Sequence, residues 1–389
     1  MKLVKPQQIT AKTAPLKPPS AVIKEVTAED ERIFLAITST ELTPEQERCI
    51  ITPPGVHAGQ HEIMALHWHP EFVPMALIER RIKGAFPNAR RELIIPTQHN
   101  VLMEYGGFSG VEVDCYSRGF KRKVQLLLHF ENSRLQKADV LRSALAHTRD
   151  YRATQLHDFI HTIVRPMEAR LQEAAAETGA DGELVGFVRV QVGKVFHLLE
   201  KHADTLPQDA FKNRLLRNFL EALRPTYGDI LINRAEAFLN AVKAIVKREF
   251  SPKYFYRTSE IIEEARARGA GIVIPHPEQF WPILLAEYDV DGYEVWNPQS
   301  REYTEFLISV LKRKNRQRDT ATRRLLAFMG DDTHMGEKIN PPSLQNGCKA
   351  SREVGVQPGW DDISIRKQLA VAGLTRADVL EEYAARLTG

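Results

Sequence analysis

Short apolar or alternating runs recur in two parts of the chain, and helical or polar stretches separate them. Runs of this kind are typical of strands, whereas apolar positions three and four residues apart indicate helices. The chain contains seven strand candidates: 63–66, 93–96, 111–115, 124–130, 271–275, 292–296 and 325–330. Helical patterns lie between them at 75–83, 259–266 and 300–323. Strands that alternate with helices predict an α/β fold with a largely parallel sheet.

Residues 133 to about 250 interrupt this alternation with a long helical pattern. Two sets of apolar residues at helical spacing mark its buried faces: Val188, Val192, Val195 and Leu199, and Leu215, Phe219, Leu220 and Leu223. Breaks at 178–182 and 224–228 divide the pattern into several helices. We predict a helical insertion within a domain that spans residues 56–345.

The two ends of the chain differ from this domain. Residues 1–55 are predicted to form a partly flexible N-terminal extension, whose first 25 or so residues are rich in Pro, Lys, Thr and Gln. Thr43-Pro44 is typical of a helix N-terminus. Residues 346–389 are expected to form a loop followed by a helix near 375–387.

Composition narrows the class of protein. The 389 residues suffice for a large core, and 43% hydrophobic and 26% charged residues are typical of a globular protein. A net charge of +3 gives no global reason to expect nucleic acid. The three cysteines lack CxxC spacing, which favours a reducing compartment. No stretch reaches the roughly 18 apolar residues of a membrane span. We therefore expect a cytoplasmic protein with no membrane partner.

Side chains that can bind metals directly follow three of the strand candidates. His67 and His69 follow the first, His276 follows the fifth, and Asp332 and His334 follow the last. Alternation along an extended chain places both members of each pair on one side. Imidazole and carboxylate groups offer lone pairs to Zn, Mn or Fe at neutral pH. We therefore predict that these strand ends converge on one metal cluster.

The order of these motifs resembles that of the polymerase and histidinol phosphatase (PHP) superfamily of metal-dependent phosphoesterases. The resemblance extends from about residue 60 to 337, skips the helical segment and depends on six motifs: His67-Trp68-His69, Gln98-His99-Asn100, Gly110-Val111-Glu112-Val113, Ile274-Pro275-His276-Pro277, Gly292-Tyr293-Glu294-Val295-Trp296-Asn297 and Gly330-Asp331-Asp332-Thr333-His334. It implies a distorted seven-stranded (β/α) barrel with a large helical insertion. It also implies two or three divalent metal ions at the C-terminal ends of the strands.

The resemblance also implies roles for individual residues. The implied metal ligands are His67, His69, His99, Glu112, His276, Asp332 and His334. Glu112 resembles a carboxylate that bridges two metals, and Glu112, Asp332 and His334 are the implied catalytic residues.

Three positions depart from the family pattern. Gln98 stands where the family has an acid before the second-strand histidine, and Gln125 aligns with a histidine. His129 lies four residues beyond Gln125 on the same face of that strand and is a candidate substitute ligand. The family also has an acid a few residues beyond the opening pair, His67 and His69, and Glu71 is the nearest acid to that place. These departures leave open whether two or three metals bind and whether the activity is altered.

A site of this kind predicts hydrolysis of a phosphate ester. Bound metal lowers the pKa of water from 15.7 to about 7 and polarises the phosphoryl oxygen. Arg118, Lys121 and Arg122 precede the fourth strand and are candidates to bind substrate phosphate. The substrate is expected to be a phosphomonoester or a nucleotide or nucleic-acid phosphodiester. The alternatives are a metal hydrolase of another substrate class and a degenerate barrel that acts as a binding or scaffold module.

Two further patterns each allow two interpretations. The basic run at 312–318 is either the solvated face of a barrel helix or a track for nucleic-acid phosphates. His157 and His161 have the spacing of a zinc-protease helix, but Asp158 replaces the glutamate base of that motif. No third ligand is evident, so we favour a pair on a helix surface.

Overall fold

The computed structural model describes residues 23–207, 214–319, 322–342 and 344–389. The chain divides into two compact units, residues 1–39 with 156–249 and residues 40–155 with 250–389. Residues 1–22 of the predicted N-terminal extension lie outside the described residues. All predicted metal ligands belong to the second unit.

Helices form the first unit and flank the strands of the second. In chain order they are α1 (Ala28–Thr38), α2 (Pro44–Ile51), α3 (Met75–Ala85), α4 (Asp139–Val164), α5 (Glu168–Thr178), α6 (Gly182–Lys201), α7 (Leu215–Ala222), α8 (Arg224–Tyr227), α9 (Asp229–Glu249), α10 (Thr258–Ala267), α11 (Thr304–Gln317), α12 (Gly347–Ala350), α13 (Ile363–Val371) and α14 (Arg376–Thr388). Both apolar faces predicted for the helical segment are buried in the core of the first unit. The helices predicted at 75–83, 259–266 and 375–387 are confirmed.

The helix predicted at 300–323 is shorter than expected. Residues 301–303 form a 3-10 turn, and α11 ends at Gln317. The side chain of Asn315 both accepts a hydrogen bond from the backbone N–H of Leu325 and donates one to its carbonyl. This pairing ties the end of the helix to the start of the following strand.

Ten strands form the sheets of the second unit, within the described residues. They are β1 (Glu62–Ala65), β2 (Trp68–His69), β3 (Arg91–Ile94), β4 (Met103–Tyr105), β5 (Phe108–Ser117), β6 (Arg122–Glu131), β7 (Gly271–Ile274), β8 (Gly292–Trp296), β9 (Leu326–Met329) and β10 (Thr333–His334). The six-stranded sheet has the order β4-β5-β6-β7-β8-β9, while β1 pairs with β3 and β2 pairs with β10. Every predicted strand is present.

The expectation of a largely parallel sheet is wrong for the larger sheet. Its strands pair antiparallel from β4 to β7 and parallel from β7 to β9. The physical reason is the short polar turn between β5 and β6, because parallel strands need a crossover of a dozen or more residues. As a result β6 runs against all its neighbours.

The three sheets are not closed into a continuous barrel, but single backbone hydrogen bonds join them. Asp332 donates to the carbonyl of His67 at 2.8 Å, and Glu112 donates to the carbonyl of Gln98 at 3.1 Å. Thr97 donates to the carbonyl of Trp68 at 2.8 Å. These bonds bring the ends of β1, β3 and β9 towards β5. In the described part of the chain, no helix has the length and apolarity needed to cross a membrane.

Candidate metal centre

Seven of the eight predicted ligands converge on one largely buried cluster. His67 and His69 lie between β1 and β2 and on β2, and His99 follows β3. Glu112 lies in the middle of β5, and His276 follows β7. Asp332 and His334 lie just before β10 and on it. The members span most of the chain, so the cluster exists only when the sheets are assembled.

Glu112 is shared by three histidines from different elements. Its Oε2 lies 2.6 Å from His99 Nδ1 and 3.6 Å from His69 Nε2. Its Oε1 lies 3.6 Å from His276 Nε2. A carboxylate whose two oxygens face different histidines has the geometry of a bridging ligand.

Asp332 is a second shared carboxylate on the other side of His69. Its Oδ1 lies 3.4 Å from His69 Nε2, 3.4 Å from His334 Nε2 and 3.7 Å from His67 Nε2. His69 Nε2 therefore faces both carboxylates and occupies the middle of the cluster.

The donor atoms of this cluster fit a metal ion. Two groups bring their ligand atoms within 4.8 Å of one another, namely His69 with His99 and His334, and His67 with His69 and Glu112. The buried atoms His67 Nε2 and His69 Nε2 make no hydrogen bond within the described residues. Buried polar atoms without partners are costly, and a divalent cation would satisfy them together.

The pKa shifts of His69, Glu112 and Asp332 are those expected of metal ligands, whereas neighbouring carboxylates raise the pKa of His67, His276 and His334 against the effect of burial. Burial and two neighbouring histidines lower the pKa of His69 to about 3, which keeps its ring neutral. Burial opposes ionisation of Glu112 and Asp332, yet the surrounding histidines hold the pKa of each carboxyl well below its usual range. Neutral imidazole and ionised carboxylate are the forms that bind metals.

Glu294 is a site residue to which the sequence analysis assigned no role. Its Oε1 lies 2.6 Å from His67 Nδ1, and its Oε2 accepts the backbone N–H of His276 at 2.8 Å. Burial favours a neutral His67, but Glu294 and the other nearby carboxylates raise the pKa of His67 to about 10. Contact at Nδ1 leaves Nε2 directed at the cluster. The available signal was an acid within the otherwise apolar strand β8.

Three polar residues at the edge of the cluster were also missed. Arg352 Nη1 donates to Asp332 Oδ2 at 2.6 Å, and Gln299 Nε2 donates to the same oxygen at 2.5 Å. Lys349 Nζ lies 3.3 Å from His334 Nε2. These residues come from loops and a short helix, and nothing in their local pattern signals a site.

Gln98 positions a neighbouring acid. Its Oε1 accepts the backbone N–H of Glu71 at 3.1 Å, and Glu71 Oε1 lies 3.4 Å from His334 Nδ1. The amide that departs from the family pattern thus fixes the loop that brings Glu71 to the cluster.

His129 is not part of the cluster, contrary to the prediction. Its Nδ1 lies 2.7 Å from the Tyr383 hydroxyl, and its Nε2 lies 2.9 Å from the carbonyl of Leu66. Because β6 is antiparallel to β7, His129, which follows Gln125 by four residues, lies farther from the site than Gln125 does. His129 pairs with Gly271 at the start of β7, whereas His276 follows the end of that strand.

Replacing His129 by glutamine is expected to leave the metal content unchanged and to reduce the acid sensitivity of folding. Burial lowers the pKa of His129 to about 4, so only the unfolded chain takes up this proton between pH 6.5 and 4. Stability present above pH 6.5 is therefore lost as the pH falls, by about 2 kcal/mol at pH 5. Urea unfolding of both proteins at pH 7.5 and 5, with chelator, measures the difference. Identical pH dependence would contradict this assignment.

The predicted phosphate-binding residues do not reach the cluster. Arg118, Lys121 and Arg122 are exposed in and beside the β5–β6 turn and make no polar contact with the cluster in the described structure.

The basic run at 312–318 lies mainly on α11, which leads to the start of β9, whereas Asp332 follows the end of β9. This position supports the interpretation of 312–318 as an outer helix face. His157 and His161 lie on α4, outside both groups of side chains that could hold a metal ion.

Replacing Gly330 by alanine is expected to reduce the affinity of the cluster for a metal ion by about 10- to 100-fold, the usual effect of disturbing the partner of a metal-binding histidine. A Cβ at this position would lie 1.9 Å from Glu294 Oε1, so the carboxylate would have to leave His67. Titration with a divalent metal measures this affinity, and melting curves check that the variant is folded. Gly186→Ala is the control, because a Cβ there meets no atom within 4 Å. An unchanged metal affinity of the Gly330 variant would show that the contact between Glu294 and His67 is not needed for metal binding.

Comparisons with known proteins give only weak similarity. No family model matches the chain, and no curated protein matches it. Among solved structures, it is similar to a putative metal-dependent phosphoesterase from Bifidobacterium adolescentis, with 16% identity and a TM-score of 0.40. The match covers 80% of this chain and 96% of that one. A TM-score of 0.40 is too low to establish a common fold.

Proposed function

We propose that the chain is a metal-dependent phosphoesterase of PHP type that hydrolyses a phosphate ester. The observation that carries the proposal is the convergence of five histidines on two shared, ionised carboxylates, Glu112 and Asp332. The proposal includes a distorted seven-stranded barrel. The backbone bonds from Asp332 to His67 and from Glu112 to Gln98 support it, because they join the separate sheets.

The residues of the cluster would hold two or three ions of Zn, Mn or Fe. Such ions, when bound, supply hydroxide at neutral pH and polarise a phosphoryl oxygen. Glu112 and Asp332 provide the shared carboxylates, and Glu294 holds the ring of His67 in a fixed orientation. Arg352 and Lys349 place positive charge beside Asp332 and His334, where it would attract and orient a phosphate group.

The substrate is a phosphomonoester or a phosphodiester of a nucleotide or nucleic acid. The exposed Arg118, Lys121 and Arg122 remain candidates for binding parts of a larger substrate distant from the cluster. A scaffold role is the alternative, and the replacement of acid and histidine by Gln98 and Gln125 is the observation that favours it.

Elemental analysis of the purified protein beside the Asp332→Ala/His334→Ala variant tests the proposal. We expect two or more equivalents of metal in the native protein, loss of metal in the variant, and hydrolysis of p-nitrophenyl phosphate or its bis-ester only by the native protein. The His157→Asn/His161→Asn variant is the control, because it removes two histidines outside the cluster. Absence of metal after reconstitution, or metal without hydrolysis of any phosphate ester, would support the scaffold role instead.

A further inference from the structure

A second group of functional side chains lies at the end of β5, apart from the metal ligands. It lines a cavity of about 490 Å³, which we call the aromatic pocket. The residues that line the pocket include Tyr116, Arg118, His147, Tyr254, Tyr256 and Arg257. None of these six is a candidate metal ligand, and the proposed function uses only Arg118, as a candidate for binding a larger substrate.

Two tyrosine rings of the pocket are exposed yet held in place. Tyr254 is 66% exposed and Tyr256 is 38% exposed. The ring of Tyr254 packs on Tyr151 at a centroid distance of 5.3 Å, and Tyr256 packs edge-on against His147 at 5.4 Å. His147 Nε2 also lies 2.9 Å from the carbonyl of Tyr254. Fixed aromatic rings with exposed surface are suited to stack on a planar ligand.

The charge of the pocket favours an anionic ligand. Arg118, Lys253 and Arg257 contribute three cations to its lining, and Glu260 contributes one acid. The acid lies 3.7 Å from Arg257, so a positive excess remains at the other two cations. Aromatic rings beside Arg and Lys bind the bases and phosphates of unpaired nucleic-acid strands.

Strand β5 connects the pocket with the metal centre. Glu112, Asp114 and Tyr116 lie on one side of this strand, because side chains alternate, and four residues of strand span about 13 Å. Between the two ends, Asp114 pairs with Lys123 at 2.5 Å and with Arg152. Both cations are therefore neutralised by Asp114, which is buried.

We propose that the aromatic pocket binds single-stranded nucleic acid, with bases stacked on Tyr254 and Tyr256 and phosphates held by Arg118, Lys253 and Arg257. A strand that covers the roughly 13 Å between the pocket and the metal centre would place one of its phosphodiesters there for hydrolysis. A duplex does not fit this assignment, because paired bases present no free face for stacking. The assignment of the substrate class rests on the proposed function, whereas binding itself does not.

Fluorescence anisotropy with labelled oligo-dT and oligo-U tests the pocket, in chelator so that binding is measured without turnover. The Tyr254→Ala/Tyr256→Ala variant is expected to bind about tenfold or more weakly, since each stacked ring contributes substantially. The Tyr254→Phe/Tyr256→Phe variant keeps both rings and should bind like the native protein. Retained affinity in the alanine variant, with melting curves confirming a folded protein, would overturn the proposal.

The salt dependence of binding distinguishes local charge from overall charge. Arg118→Ala/Arg257→Ala should reduce the slope of log K against log salt by about 0.7 for each phosphate that the variant no longer neutralises. Arg313→Ala/Arg316→Ala removes the same charge from an exposed part of α11 and should leave the slope unchanged. Equal effects of the two variants, or equal displacement of the oligonucleotide by polyglutamate, would overturn the proposal.

The two proposals can fail separately. Hydrolysis of small phosphate esters without oligonucleotide binding would overturn the pocket and keep the phosphoesterase. Oligonucleotide binding that depends on the two tyrosines, without metal or hydrolysis, would support the pocket and overturn the phosphoesterase.

Discussion

Replacing Glu112 by glutamine is expected to lower kcat/KM for phosphate ester hydrolysis by about 1,000-fold or more. Both oxygens of Glu112 face histidines of the cluster, whereas an amide offers one oxygen and directs N–H donors at the others. Metal assistance contributes several kcal/mol to such reactions, and about 4 kcal/mol corresponds to this factor. Steady-state kinetics measure the loss of activity, and elemental analysis measures the loss of metal that we expect to accompany it.

The matched control for Glu112 is Glu104→Gln on β4. Glu104 is exposed and lies outside the cluster, so its amide variant should keep metal content and rate. A Glu112 variant that retains more than a tenth of the activity would show that this carboxylate does not bridge metals. In that case the proposed centre would depend on Asp332 alone.

Replacing Arg81 by methionine is expected to destabilise the second unit by about 3–5 kcal/mol, the usual cost of breaking a buried ion pair. Arg81 Nε lies 2.7 Å from Glu353 Oε2, and its Nη1 donates to the carbonyls of Cys49, Ile50 and Thr52. Methionine keeps the apolar stem but leaves these acceptors without the guanidinium. The free energy of unfolding in urea measures the loss.

The neighbouring Arg80 provides the control for this prediction. It is exposed on the same helix, so Arg80→Met should change stability by about 0.5 kcal/mol or less. A loss below 1 kcal/mol in the Arg81 variant would show that Lys338, 2.6 Å from Glu353, compensates for the missing charge. Because Glu353 follows Arg352 in the chain, this ion pair also bears on how firmly Arg352 is held at the metal centre.

The sequence predicted those parts of the fold that depend on local patterns. Apolar runs identified the strands because burial of both faces removes polar residues from them. Histidines and one aspartate after those runs identified five of the candidate ligands, since residues at strand ends remain close to the sheet edge. His99 and Glu112 were identified only through the resemblance to the PHP superfamily. The helical spacing at 188–199 and 215–223 identified buried helix faces, because the buried side of a helix is also composed of apolar residues.

Strand direction and backbone conformation could not be predicted in this way. The prediction for His129 depended on the direction of β6, which the hairpin turn rather than the apolar pattern determines. Asp332 and His276 adopt positive φ angles of 46° and 26°, which non-glycine residues rarely do. Those conformations depend on contacts with distant segments, such as the bond from His276 N–H to Glu294. Arg352 reaches Asp332 through a loop and has no local signal at all.

The pairing of β2 with β10 has a consequence for biosynthesis. Trp68 and His69 lie beside Thr333 and His334, which the ribosome adds 265 residues later. At about 5–20 residues per second, the first two ligands wait roughly 13–50 s for their partner strand. Metal loading at the proposed centre is therefore expected to follow translation through His334, and nascent chains stalled before β10 should emerge without a complete cluster.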